Sequence, residues 1–143
     1  MIITNSDGGS RGNPGPGAIG VLVRDNEKIL INYKNGIGNF VTNNIAEYEA
    51  LIKALELALK TGAKEIECCL DSELVVKQLL GQYAIKNQKL LELFLKVQQL
   101  QEKFEKVKYK YISRWDKFQQ ICDEMLNEEL DKITGKKRRR FYK

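Results

Sequence analysis

Residues 45–71 of this chain read IAEYEALIKALELALKTGAKEIECCLD, a helical pattern followed by a short strand pattern. From Ile45 to Lys60 the apolar residues recur at intervals of three and four, the period of a helix that buries one face. Gly62 follows the end of that pattern, as a glycine commonly does past a helix C-terminus. Residues 65–71 then predict a buried strand that ends in an acid. A helix that leads directly into a buried strand is typical of an α/β fold.

Three β-type segments precede this unit. Residues 1–7 predict a strand that ends at Asp7, and a glycine-rich loop is expected from Gly8 to Gly17. The segments AIGVLV (18–23) and KILINYK (28–34) predict the two strands of a hairpin. Because only short links join the three strands, we expect them to form an antiparallel meander.

Four elements are predicted after residue 71: helices at 72–80 and 88–105, a strand at 107–112, and a helix at 117–133, with Asp116 and Gln119 spaced as a capping box at its start. Strands that are reached through a helix pair in parallel by right-handed crossovers. The sequence therefore predicts an α/β fold with a mixed five-stranded sheet. Its first three strands are antiparallel, its last two are parallel, and helices cover both faces.

The composition excludes several classes of protein. The chain has 143 residues, 43% of them hydrophobic and 30% charged, which is ordinary for one globular domain. It has no histidine, which excludes histidine-based triads and mixed Cys/His zinc sites. The N-terminus lacks the pattern of a secretory signal, and no apolar run has the ~20 residues that span a bilayer. Three cysteines, two of them adjacent, favour a reducing compartment, so we expect a cytoplasmic protein without membrane contact.

The net charge of +5 is concentrated at the C-terminus. Residues 136–143, KKRRRFYK, contain six of the 24 basic residues and no acid, which leaves 18 basic and 19 acidic residues in the rest of the chain. A basic cluster of this kind is typical of a nucleic-acid-binding arm or a targeting signal, and equally of a solvated terminus. We expect one domain over residues 1–133 and a basic tail over 134–143.

Three acids stand at positions where an acid is unusual. Asp7 and Asp71 lie at the carboxyl ends of predicted strands, which is where open α/β sheets bind ligands, although both also fit turns. Glu47 heads an apolar helical stripe that contains Leu51 and Ala54, so its carboxylate is expected to face the sheet. The alternative is a capping box in which Glu47 reaches back to the backbone of Asn44.

Asp123 is a fourth candidate, on the edge of the apolar stripe of the last helix; the alternative is an ordinary acid at the boundary of that stripe. Carboxylates are the ligands that hard divalent cations such as Mg²⁺ prefer. Two such ions about 4 Å apart activate a water and stabilise the leaving oxygen of a phosphodiester. Without histidine or metal-spaced cysteines, a carboxylate-only metal site is the metal chemistry that this composition leaves open.

Four motifs in the chain resemble those of type 1 ribonuclease H: DGGSRGNPGPG (7–17), TNNIAEYEAL (42–51), DSELV (71–75) and CDE (122–124). The resemblance covers residues 1–133 and implies the same fold as the pattern above. It also implies an endoribonuclease that hydrolyses the RNA strand of RNA/DNA hybrids, leaves 3′-hydroxyl and 5′-phosphate ends, and uses two Mg²⁺ or Mn²⁺ ions. The implied catalytic and metal-binding residues are Asp7, Glu47, Asp71 and Asp123.

The resemblance further implies which residues bind substrate. Gly8, Asn13 and Asn44 are expected near the RNA strand and its 2′-hydroxyls, which distinguish RNA from DNA. Thr42 and Asn43 are expected at a phosphate of the DNA strand, with Ser72 nearby. The RNA/DNA hybrid is the one partner implied; we expect a monomer with no protein partner.

This chain departs from the family pattern in three ways. The histidine that many members carry before the fourth acid is absent, and Arg114 lies nearby. Gln119 occupies a position where asparagine is usual, which makes Asp123 the weakest match. The segment 81–88 is too short for the basic, tryptophan-rich substrate handle of some members, a role that the C-terminal tail is able to fill. Two other functions therefore stay open: a non-catalytic module that binds hybrids or duplexes, and a related nuclease for double-stranded RNA or branched DNA.

Overall fold

The structure, a computed structural model, describes residues 1–137. Its elements follow the predicted order: β1 (Ile2–Ser10), β2 (Gly15–Asp25), β3 (Lys28–Val41), α1 (Asn43–Leu59), β4 (Glu65–Leu70), α2 (Glu73–Leu79), α3 (Gln88–Gln101), β5 (Lys106–Tyr111) and α4 (Lys117–Thr134).

The five strands form one mixed sheet in the order β3-β2-β1-β4-β5. Strand β1 pairs antiparallel with β2, and β2 pairs antiparallel with β3, across the tight turns of a meander. Strand β4 pairs parallel with β1 on the opposite side, and β5 pairs parallel with β4. The predicted mixed sheet is confirmed, and β1 at its centre is the strand that carries Asp7.

Alternate residues of β2 show that helices cover both faces. Ile19, Val21 and Val23 pack against α1, where they contact Ala50, Ala54 and Leu57. Their neighbours along the strand point the other way: Ala18 packs on Leu126 and Leu130 of α4, and Leu22 packs on Phe118 and Cys122. A strand alternates its side chains between the two faces, so one strand anchors α1 and α4 on opposite sides of the sheet.

The largest part of the core lies between α1, α3 and the β4–β5 half of the sheet. Its buried residues include the α1 side chains Tyr48, Leu51, Ile52 and Leu55, the β4 side chains Ile66, Cys68 and Leu70, and the α3 side chains Leu90, Leu93 and Val97. This packing fixes α1 against β1 and β4, and so fixes the direction in which the first turns of α1 present their polar residues.

The predicted loop from Gly8 to Gly17 is confirmed only over residues 11–14, and its two ends belong to strands. Strand β1 continues to Ser10 and β2 begins at Gly15, with Gly8 paired to Ile19 and Ser10 paired to Gly17. Glycine lowers the strand propensity of the segment, but the ladder to the neighbouring strand is a non-local interaction that overrides it. Two other predicted ends are also wrong. Strand β3 was predicted to end at residue 34 but continues to Val41, and helix α3 was predicted to end at residue 105 but stops at Gln101.

The last helix ends where the predicted tail begins. Helix α4 reaches Thr134, and Gly135 follows with φ of 69°, the left-handed conformation that favours glycine as a helix cap. Residues 138–143 of the predicted tail lie outside the described residues. The division into a domain and a tail therefore stays a prediction.

Candidate metal centre

Three of the four predicted acids meet at one edge of the sheet. Asp7, Glu47 and Asp71 each offer a carboxylate oxygen that lies within 4.8 Å of the oxygens of the other two. The sheet register explains the pairing of the aspartates, because β1 and β4 pair in parallel from Ile2↔Ile66 to Asn5↔Cys69. The same offset, carried two residues further, places Asp7 opposite Asp71 where the two strands separate.

Glu47 reaches the two aspartates from the second turn of α1. The backbone N–H of Gly8 donates a 2.8 Å hydrogen bond to Oε1 of Glu47. The alternative of a capping box with Asn44 is wrong, because Thr42 is the N-cap of α1 and accepts from the N–H of Ile45 at 3.2 Å. As predicted, Leu51 and Ala54 on the same stripe are fully buried.

Asp123 lies on the rim of the same site. A depression of about 550 Å³ is lined by Asp7, Gly8, Asn43, Asn44, Glu47, Asp71, Arg114 and Asp123. Asp123 is outside the group of three whose oxygens are within 4.8 Å, but its charge acts on both Asp7 and Asp71. Its side chain accepts a 3.2 Å hydrogen bond from Nδ2 of Asn127, one turn later on α4.

Burial, followed by mutual repulsion, raises the pKa values of three of these acids. Burial raises the pKa of Asp7 well above its ordinary value, and the charges of Glu47, Asp71 and Asp123 raise it further. Burial and then the charge of Asp71 raise the pKa of Glu47 to about 8, against the opposing effect of the Gly8 N–H. Burial also raises the pKa of Asp71. Holding these carboxylates together in ionised form therefore costs free energy, which a bound cation removes.

A divalent metal fits this donor set. The convergent groups are carboxylate oxygens, which Mg²⁺ and Mn²⁺ accept as ligands. Asp7 is only 8% exposed, and the depression beside it leaves room for waters and a phosphate. Asp7, Glu47 and Asp71 are the residues able to hold an ion between them, and Asp123 is the fourth acid at its edge.

Two other side chains tune Asp71. A hydrogen bond from Gln119 is the largest effect that lowers the pKa of Asp71, and the positive charge of Arg114 lowers it as well. Gln119 is fully buried; its Nε2 donates to the Ser6 carbonyl at 2.7 Å and its Oε1 accepts from Asn5 at 3.2 Å. The predicted capping box is therefore half right: Asp116 caps α4, but Gln119 ties α4 to β1.

Five of the six predicted substrate residues lie around the N-terminus of α1, and two of them are joined by a hydrogen bond. Asn13 accepts from the backbone N–H of Asn43 at 3.0 Å, and Asn43 accepts from the backbone N–H of Ser10 at 2.9 Å. Asn44 and Gly8 line the acidic depression itself. Ser72 caps α2 through a 3.3 Å bond from the N–H of Val75, which places it next to Asp71 but outside that lining.

A second depression, of about 300 Å³, contains two residues that the sequence interpretation missed. It is lined by Asn13, Thr42, Asn43, Asn44, Ile45, Asn87, Lys89 and Leu90. Asn87 is the N-cap of α3 and Lys89 lies in its first turn. An asparagine directly before a helical pattern is a recognisable cap signal, but nothing local in the sequence indicates that α3 begins beside α1.

Comparisons with known proteins agree with this fold. A family model described as reverse transcriptase-like matches residues 5–117. Ribonuclease HI of Halobacterium salinarum is 40% identical over 126 residues, which is 87% of this chain and 62% of that protein. The structure of LC11-RNase H1 in complex with an RNA/DNA hybrid superposes with a TM-score of 0.86 and 39% identity, covering 94% of this chain and 99% of the other.

The chain belongs to the type 1 ribonuclease H family. A longer relative is the bifunctional protein Rv2228c of Mycobacterium tuberculosis, 41% identical over 115 residues. Those residues are 79% of this chain but 31% of the relative, so this ribonuclease H chain spans about a third of that protein's length.

None of the helices in residues 1–137 has the length and apolarity that crossing a bilayer requires.

Proposed function

We propose that this protein is an endoribonuclease that hydrolyses the RNA strand of RNA/DNA hybrids by two-metal-ion catalysis. The products are RNA fragments with 3′-hydroxyl and 5′-phosphate ends. The observation that carries the proposal is the convergence of Asp7, Glu47 and Asp71, whose carboxylate oxygens lie within 4.8 Å of one another. The complex of LC11-RNase H1 with an RNA/DNA hybrid supports the choice of substrate.

Asp7, Glu47, Asp71 and Asp123 are the proposed catalytic and metal-binding residues. Two bound Mg²⁺ or Mn²⁺ ions would supply an activated water and charge stabilisation at the leaving oxygen. The residues of the chain contribute position and electrostatics. Gly8 fixes the Glu47 carboxylate through its N–H, while Gln119 and Arg114 favour the ionised form of Asp71. A preorganised site of this kind lowers the barrier because its charges need no rearrangement during the reaction.

The substrate would lie across the N-terminus of α1. We propose that Gly8, Asn13 and Asn44 face the RNA strand, where the 2′-hydroxyl distinguishes RNA from DNA. The second depression, lined by Thr42 and Asn43 together with Lys89, fits a phosphate of the DNA strand, with Ser72 on the Asp71 side of the site. Contacts to phosphate and sugar position a duplex without reading its bases, so cleavage should be largely independent of sequence.

We also propose the organisation in which this activity works: a catalytic domain over residues 1–133, a basic tail over 134–143, and a cytoplasmic monomer without a membrane or protein partner. The free thiols of Cys68, Cys69 and Cys122 support a reducing compartment. Size-exclusion chromatography with light scattering tests the monomer.

A cleavage assay tests the proposed function. Labelled RNA/DNA hybrid, duplex RNA, duplex DNA and branched DNA are each incubated with the protein in Mg²⁺, Mn²⁺ or EDTA, and the RNA ends are identified. Cleavage of the hybrid RNA with either metal, and none in EDTA, is the expected result. Binding of hybrid without cleavage would identify a non-catalytic module, and cleavage confined to duplex RNA or branched DNA would identify a related nuclease.

A further inference from the structure

Arg11 connects the segment between β1 and β2 to the C-terminal half of α4. One terminal nitrogen of its guanidinium donates to Oγ1 of Thr134 at 3.1 Å and to the carbonyl of Lys136 at 2.7 Å. The other donates to Oδ1 of Asp131 at 2.5 Å and to Oδ1 of Asn127 at 3.2 Å. The Arg11 side chain is 21% exposed. A planar guanidinium with this many partners has one available orientation.

Arg11 also determines how the amide of Asn127 is turned. A guanidinium has only donors, so the oxygen of the Asn127 side chain must face Arg11 and its NH₂ group must face away. In that orientation Nδ2 of Asn127 donates to the Asp123 carbonyl at 2.8 Å and to Oδ1 of the Asp123 carboxylate at 3.2 Å. The Asn127 amide therefore accepts a hydrogen bond from the Arg11 guanidinium and donates one to the Asp123 carboxylate.

We propose that Arg11 and Asn127 are positioning residues that hold the Asp123 carboxylate toward Asp7, Glu47 and Asp71. We call this pair the Arg11–Asn127 relay. The inference rests on the proposed function, because it assigns the relay to the metal centre of that reaction. The Gly8 N–H holds the Glu47 carboxylate, and the Asn127 amide holds that of Asp123, which lies on α4 on the opposite face of the sheet from α1.

Arg11 connects the proposed RNA-binding segment to the residues that hold Asp123. Arg11 belongs to the segment 8–13, which contains two of the proposed RNA-contacting residues, and its guanidinium sets the amide that holds Asp123. Arg11 and Asn127 also line a groove of about 660 Å³ that extends from Asp7 and Asp123 along α4 to Lys137. Side chains that orient a metal ligand typically change activity or metal affinity by about 10–100-fold when removed.

A double-mutant cycle tests the relay. Asn127→Ala is expected to lower kcat on the hybrid by about 10–100-fold with little change in KM, and to weaken Mn²⁺ binding measured by calorimetry without hybrid. Arg11→Met is expected to lower kcat in the wild-type background and to have almost no further effect on kcat in the Asn127→Ala background. Arg11→Lys retains a cation for Asp131 but lacks the planar fork. It is expected to restore the melting temperature relative to Arg11→Met without restoring kcat.

Lys34→Met is the matched control. Lys34 on β3 pairs with Glu128 on α4 at 2.8 Å, so it also links the sheet to α4, but it has no contact with the relay. Its removal is expected to leave kcat and Mn²⁺ affinity unchanged. The relay is overturned if Asn127→Ala keeps kcat and Mn²⁺ affinity within twofold of wild type, or if the effects of Arg11→Met and Asn127→Ala on kcat multiply. If the wild-type protein cleaves nothing, the proposed function fails, and the Mn²⁺ affinities of the same variants still decide the relay.

Discussion

The backbone of Gly8 and the carboxylate of Glu47 are joined by a 2.8 Å hydrogen bond, at a point where β1 and α1 lie too close for a side chain. A Cβ added at Gly8 would lie 2.1 Å from the carbonyl oxygen of Ala46. Only glycine at position 8 therefore allows its N–H to reach Glu47, and this hydrogen bond holds the Glu47 carboxylate in the acidic cluster.

The Gly8–Glu47 contact predicts that Gly8→Ala inactivates the protein by displacing α1. We expect kcat to fall at least about tenfold and the free energy of unfolding to fall by about 1–3 kcal/mol, a typical cost of inserting a methyl group into packed structure. Gly9→Ala is the matched control, because its Cβ would meet Leu126 Cδ1 at 3.6 Å and Asn43 Oδ1 at 3.9 Å, both ordinary contact distances. Equal effects of the two substitutions on kcat and on chemical denaturation would contradict the prediction.

The acidic cluster predicts separate effects on cleavage and on binding. Asp7→Asn and Asp71→Asn are each expected to reduce hybrid cleavage by about a thousandfold or more, which corresponds to the several kcal/mol that metal ions contribute. Hybrid affinity, measured by fluorescence anisotropy, should persist because the contacts proposed for the DNA phosphate lie in the second depression, outside the acidic cluster. Substantial residual turnover in both variants would rule out the proposed mechanism.

The raised pKa values of Asp7 and Glu47 predict how the metal-free protein responds to pH. Because each group has a higher pKa in the folded state, the folded state binds more protons, and its stability falls as pH rises from about 4 toward about 8. In EDTA the melting temperature should be lower at pH 8 than at pH 5. Asp7→Asn should reduce that difference, and Mn²⁺ should remove much of it.

Glu105→Gln provides the control for this pH effect, since Glu105 is an exposed acid paired only loosely with Lys64 at 3.7 Å. It should leave the dependence of melting temperature on pH as it is in the wild type. A dependence that is as steep in Asp7→Asn as in Glu105→Gln would show that the acidic cluster is not its source.

The basic tail predicts a salt-dependent contribution to hybrid binding. Deletion of residues 138–143 removes four cations while keeping the Lys136 carbonyl that Arg11 contacts. Hybrid affinity in EDTA should fall at low salt, and the slope of log affinity against log salt should decrease by about 1–4, since each phosphate contact contributes ~0.9. Replacing the six residues with a neutral Gly/Ser segment should have the same effect. Unchanged affinity at both low and high salt would refute a role for the tail.

Periodicity alone predicted the element order and the unusual position of Glu47, because both are local properties of the chain. The apolar stripe below Glu47 is set by residues three and four apart, and the structure buries that stripe as expected. The glycine-rich segment was mispredicted for the complementary reason. Its residues have weak strand propensity, and its two ends become strands by pairing: residues 8–10 pair with residues 17–19 of β2, and Gly15 and Gly17 pair with β3.

The sequence by itself determined the class of the fold, the four candidate acids and, through its motifs, the family. Only the tertiary structure decided how those acids are held, because the contacts involved join residues far apart in the chain. Gly8 and Glu47 are separated by 39 positions, and Arg11 and Asn127 by 116. Such contacts depend on the register of the sheet and the packing of two helices against its opposite faces, which no local pattern of residues encodes.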